Sequence, residues 1–166
     1  MKPLSVVYGC FFTCFGVYTL DRISKNLVFQ DSALAPSRSF IWGVITHIHH
    51  RNLGIAFDIP LPSWLILSLS IIALGLISYG IFRALKRRSI LEGILLGALL
   101  GGSLGNFMDR FTLGYVRDWI LLFNRSVINL ADIFILIGLV GYLWTQYTEI
   151  HKEEAKIGEK LLGHEV

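Results

Sequence analysis

Two aspartates carry the chemistry this chain can offer. Asp118 sits in Val116-Arg117-Asp118-Trp119, and Asp132 in Asn129-Leu130-Ala131-Asp132-Ile133-Phe134. The residues after Asp132 are strongly apolar and read as a membrane helix, which puts that carboxylate at or just inside a bilayer edge. A charge there is costly and points to function. Two carboxylates that meet in such surroundings can share one proton, the basis of acid–base attack by water on a peptide carbonyl. Asp109 is a third candidate: Asn106, Asp109 and Arg110 stand at i, i+3 and i+4 and share a face if their helix continues. Spacing alone does not choose two acids from the three. Each also has a structural reading. Asn129 and Asp132 resemble a variant capping box at a helix start, where negative charge is welcome. Asp118 reads equally as an exposed loop acid paired with Arg117 or Arg125.

Other chemistry is poorly supported. His47, His49 and His50 tempt toward a metal. On a strand, however, His47 and His49 face one side and His50 the other, and no further ligand stands at helical spacing. Cys10 and Cys14 read as small packing residues. Val7-Tyr8-Gly9-Cys10 weakly resembles a lipoprotein cleavage box, but the apolar run before it is shorter than the roughly 7–15 residues a signal needs, so the segment reads as a retained span. No nucleophile elbow, HExxH helix or phosphate-binding glycine loop is present. Paired carboxylates are the one catalytic constellation left, with neither metal nor organic cofactor expected.

The elements that must position these acids belong in a membrane. The chain is 54% hydrophobic and 16% charged, with a mean hydropathy of +0.60. Four apolar segments, residues 4–20, 63–82, 90–108 and 128–147, approach the roughly 20 residues a membrane helix needs. They are read as one integral membrane domain spanning residues 1–166. Arg83, Lys86, Arg87 and Arg88 crowd the turn between spans two and three, so that turn is cytoplasmic. Four spans then put both termini inside, with a cytoplasmic tail at 148–166, and leave all six aspartates outside. A net charge of +3, thinly spread, gives no reason to expect a nucleic-acid partner. The first outer connection, 21–62, holds β-branched and aromatic stretches around Phe40-Ile41-Trp42 and from Val44 to Arg51. Asn52-Leu53-Gly54 is turn chemistry, and Ile55-Ala56-Phe57 could be the returning strand. A small sheet on the membrane surface is predicted. The stretch Asp21-Arg22-Ile23-Ser24-Lys25, with Asp21 and Lys25 in it, could be an interface anchor or a polar wall of the site. Gly93, Gly97, Gly101 and Gly105 form a ridge that lets another helix approach closely. Packing inside the bundle, and with it a monomer, is the expectation.

In ordered blocks these residues resemble the bacterial lipoprotein signal peptidases, or signal peptidase II. The blocks are Asp21-x-x-Ser24-Lys25, Arg51-Asn52-x-Gly54-x-Ala56-Phe57, Gly101-Gly102-Ser103-Leu104-Gly105-Asn106-x-x-Asp109-Arg110, Val116-x-Asp118-Trp119 and Asn129-Leu130-Ala131-Asp132. The resemblance implies four membrane helices with a small extracytoplasmic β-cradle between the first two, in the bacterial cytoplasmic membrane, with the site toward the outer leaflet. It implies that Asp118 and Asp132 are the catalytic pair. Asp21, Lys25, Asn52, Gly54, Asn106, Asp109, Arg110, Asn129 and Ala131 would then bind substrate or support the site. The implied substrates are lipid-modified prolipoproteins, cut before the diacylglyceryl-cysteine, with membrane lipids around the enzyme and globomycin-type inhibitors acting on it. Trp119 and Ile128 stand where phenylalanine is usual, Ile55 where a small residue is common, and Ser103 where alanine is. The competing class is a small ion- or proton-coupled carrier, which would need polar residues deep in several spans.

Overall fold

The computed structural model describes residues 3–30, 38–41, 45–55, 59–123 and 125–162. Four helices, α1 (Pro3–Gln30), α2 (Ser63–Arg87), α3 (Ile90–Leu113) and α4 (Leu130–Leu162), are each long and apolar enough to cross a membrane. Their outward faces carry Phe11, Phe12, Phe15, Trp64, Leu76, Leu136 and Trp144 in exposed positions. Such a surface is unfavourable in water and suited to lipid. α4 has 33 residues. At about 1.5 Å per residue it outruns a hydrocarbon core of about 30 Å, so its end reaches beyond the bilayer.

Among the four, α3 alone is buried over more than half of its apolar stretch, because its glycines admit a neighbour on two sides. A Cβ at Gly97 would lie 2.5 Å from the Cys10 carbonyl oxygen of α1, and one at Gly101 2.5 Å from that of Cys14. On the other side a Cβ at Gly102 would lie 2.6 Å from the Ala131 carbonyl oxygen of α4. The ridge is therefore spent inside the bundle. Val6, Ile77, Ala84, Leu96 and Leu99 form the apolar core beneath. At the far end Ser89 caps α3, accepting the Glu92 N–H at 3.3 Å. Arg87, in the last turn of α2, reaches Glu149 at 2.9 Å and Gln146 at 3.1 Å, tying α4 to the basic turn.

α1 runs past the end of its apolar stretch to Gln30. Asp21, Arg22 and Lys25 are thus helical residues, and their charges are met by each other and by α3.

The sheet is antiparallel with order β1-β2-β3-β4. β1 (Arg38–Ile41) and β2 (Ile45–Asn52) come from the first outer connection, as predicted. β3 (Val116–Leu122) and β4 (Ser126–Ile128) come from the second, so the cradle is built from both connections. Adjacent Arg117 and Asp118 disguise β3 as a loop. Ile55 is a bend and not a strand residue, while Ala56 and Phe57 lie outside the described residues.

Candidate active site

Strand alternation decides what the two charges of β3 do. Successive side chains point to opposite faces, so Arg117 turns toward α1 and α3 and Asp118 into a cavity. The register pairs Asp118 with His50 and Val116 with Asn52. Asn52, at the end of β2, donates its Nδ2–H to Asp118 Oδ2 at 3.0 Å and accepts the Gly54 N–H at 2.9 Å. Both ends of that amide are in use. Asp118 is therefore neither a loop acid nor a partner of Arg117, and it is 1% exposed.

Asp132 occupies the first turn of α4. The capping box read from the sequence is present: Asp132 N–H donates to Asn129 Oδ1 at 3.0 Å, and Asn129 N–H to Asp132 Oδ2 at 3.1 Å. Capping does not use up this acid, because Asn106 Nδ2–H donates to its Oδ1 at 2.7 Å. Asn129 Nδ2–H donates to Asp118 Oδ1 at 2.5 Å and to Asn106 Oδ1 at 3.2 Å. Two amides thus bridge two carboxylates. Both acids line one cavity of about 340 Å³ with Asn52, Asn106 and Arg110, and Ile135, Leu136 and Leu139 form its apolar wall. Arg110 Nη2–H also donates to the Gly54 carbonyl at 3.3 Å, tying the chain after β2 to α3.

Asp109 points elsewhere. Fully buried, it accepts the Arg117 N–H at 3.1 Å and lies 2.9 Å from Arg117 Nη2, 3.3 Å from Lys25 Nζ and 2.5 Å from Arg22 Nη1. It does not line the cavity. The face predicted to be common to Asn106, Asp109 and Arg110 is therefore divided, with Asp109 turned to α1 and Arg110 to the cavity. Lys25, equally buried, donates to Asn106 Oδ1 at 2.9 Å and lies 2.8 Å from Asp21 Oδ2 and 3.3 Å from Asp109 Oδ2. Asp21 accepts the Ala131 N–H at 3.1 Å, so it holds the start of α4 behind the cavity without lining it. A Cβ at Gly105 would lie 2.5 Å from Asp21 Oδ2, and the absence of that atom makes room for the carboxylate. Ala131, also fully buried, completes the close approach of α4 to α3.

Burial pushes the Asp118 carboxyl up to about 6. The Asn52 hydrogen bond opposes the rise, the Asp132 charge adds to it, and the Asn129 bond opposes it. A carboxyl so placed is poised to hold a proton beside an ionised partner.

Sequence reading missed Asn26 and did not foresee that Arg22 and Arg117 meet Asp109. Arg117 Nη1–H donates to Asn26 Oδ1 at 2.8 Å, and its guanidinium lies 5.9 Å from the Phe29 ring centre. A hint was the i, i+4 run from Arg22 to Asn26, which puts both on one face if α1 continues. His49 Nε2 lies 2.6 Å from the Val28 carbonyl oxygen and its ring meets Phe29 edge-on, docking the cradle on α1. Among the described residues no three His, Cys, Asp or Glu side chains gather as metal ligands would.

Four apolar helices under a small sheet, with two carboxylates on one cavity, define a multi-pass integral membrane protein of the hydrolase class. The chain belongs to the signal peptidase (SPase) II family, which matches residues 13–148. It is 38% identical to the lipoprotein signal peptidase of Syntrophomonas wolfei over 124 residues, 74% of this chain and 81% of the relative. To that of Trichormus variabilis it is 34% identical over 137 residues, 78% and 83% of the two chains. Two solved structures described as bacterial membrane enzymes share the fold. One, at 2.3 Å resolution, has a TM-score of 0.76 and 22% identity over 85% of this chain and 88% of its own. The other, at 1.9 Å, has a TM-score of 0.71 and 23% identity over 82% and 91%.

Proposed function

We propose that this chain is an aspartic endopeptidase that removes signal peptides from lipid-modified prolipoproteins, cutting before the lipidated cysteine. The observation that carries the reading is the cavity shared by Asp118 and Asp132, with Asn129 and Asn106 bridging the pair. The pair works with one proton. In this mechanism Asp132, partly exposed in the first turn of α4 where a helix N-terminus favours negative charge, serves as the base. Asp118, buried and raised to about 6, is the protonated one.

Asp132 takes a proton from water, whose oxygen attacks the scissile carbonyl carbon while Asp118 gives its proton to the carbonyl oxygen. On collapse one hydroxyl of the diol returns its proton to Asp118 as the carbonyl re-forms, the carbon–nitrogen bond breaks, and the proton held by Asp132 passes to the leaving amine. Arg110 and Asn106 line the same cavity, where they can polarise the carbonyl as Asp118 protonates it. The wall of Ile135, Leu136 and Leu139 suits the acyl chains of the modified cysteine. The basic turn around Arg87 is assigned to the cytoplasmic side, which sets the cavity toward the outer leaflet of a bacterial cytoplasmic membrane. Globomycin-type cyclic peptides are expected to occupy the same cavity.

A carrier is not favoured: the polar side chains gather at the sheet end of the bundle, with Asp21, Lys25, Asn106 and Asp109 packed against each other there. The test is cleavage of a synthetic diacylglyceryl-cysteine precursor by the purified protein. Failure to cut it, or uptake of an ion in its place, overturns the reading.

A further inference from the structure

β4 is the terminal strand of the sheet, paired on one side with β3 and, among the described residues, with nothing on the other. Its three residues, Ser126, Val127 and Ile128, all line the cavity that holds Asp118 and Asp132. Side chains alternate with period two, so a cavity lying over one face of the strand would meet every second residue. Contact with three in a row means that the cavity meets the edge, where backbone N–H and C=O groups lack a strand partner. A free edge is a template for an added strand. Chain order makes it a useful one: Ile128 is followed at once by Asn129, which holds Asp118, and then by Asp132.

We propose that the substrate binds by strand addition, its extended segment pairing with the free edge of β4 as a fifth strand that delivers the scissile amide to the aspartate pair. The proposal rests on the peptidase reading above and adds how the peptide is held. Main-chain pairing is indifferent to side-chain identity, which suits an enzyme that must accept precursors of different sequence. In an antiparallel or a parallel ladder, a strand turns its hydrogen-bonding groups to a given neighbour at alternate residues. A peptide on β4 is therefore held at every second position.

The test uses the whole protein and a synthetic diacylglyceryl-cysteine peptide in which one amide after another around the scissile bond is replaced by an ester. The ester removes an N–H donor and adds no bulk. The expected result is a loss in kcat/KM of about three- to tenfold at alternate positions, with the positions between them close to the parent peptide. N-methylation at the sensitive positions abolishes cleavage, since the methyl group occupies the space of the neighbouring strand. Tolerance at every position, or losses at consecutive positions without alternation, overturns strand addition while leaving the peptidase reading intact. If the unmodified peptide is not cleaved, the peptidase reading fails first and strand addition falls with it.

Discussion

Replacing Asn52 with alanine isolates one electrostatic link in the site. The substitution removes the Nδ2–H donated at 3.0 Å to Asp118 and the acceptor of the Gly54 N–H. Of these, only the first distinguishes the ionised from the neutral carboxyl. A hydrogen bond to a charged group contributes about 1.5–3 kcal/mol, and one pKa unit corresponds to about 1.36 kcal/mol. The neutral acid also accepts a weaker bond, so the difference between the two states is near the lower end, about one unit. Losing the donor disfavours the carboxylate, so Asp118 moves up from about 6, by about that unit.

If Asp118 must carry the shared proton, the alkaline limb of kcat/KM moves to higher pH by the same amount. A pH series with the purified protein and a lipidated peptide reads this directly. A second readout is stability. Asp118 is raised, so its contribution is full below its unfolded value of 3.8 and is lost as pH rises through about 6. Asn52 stabilises the ionised form, so its replacement lowers the melting temperature more at pH 8 than at pH 5. An alkaline limb that stays put or moves down refutes the assignment of the proton to Asp118.

The same geometry sets further outcomes. Asp118→Asn and Asp132→Asn each lower kcat by about 10²–10⁴-fold or more while the helical circular dichroism is kept; near-parental turnover by either removes that residue from the pair. Activity survives strong chelators, and a loss restored by zinc overturns the aspartic mechanism in favour of metal-assisted hydrolysis. Arg117→Met leaves Asp109 short of one of its buried cations and costs about 3–5 kcal/mol by denaturation, so a change below about 1 kcal/mol contradicts the clamp. Gly97→Ala forces a Cβ to 2.5 Å from the Cys10 carbonyl oxygen, whereas a Cβ at Gly75 meets nothing within 4 Å. The first therefore lowers the melting temperature and the second does not.

Much of this protein is legible along the chain because the bilayer enforces simple local rules. Hydrocarbon demands long apolar helices, so the four spans stand out in hydropathy. Glycines four apart announce a close helix contact, which α1 supplies. The Asn129–Asp132 box is likewise local, since both residues lie within one helical turn. What stayed hidden depends on pairing across distance. β4 is short, and β3 carries an adjacent arginine and aspartate, so only the pairing of β3 with β2 and of β4 with β3 makes them strands. Periodicity cannot say which of three aspartates share a cavity. That is decided when the pleat of β3 sends Arg117 and Asp118 to opposite faces and the turn of α3 sends Asp109 toward Arg22, Lys25 and Arg117. The fate of a buried charge is set by the partners that reach it, and those partners come from helices and strands far apart in the chain.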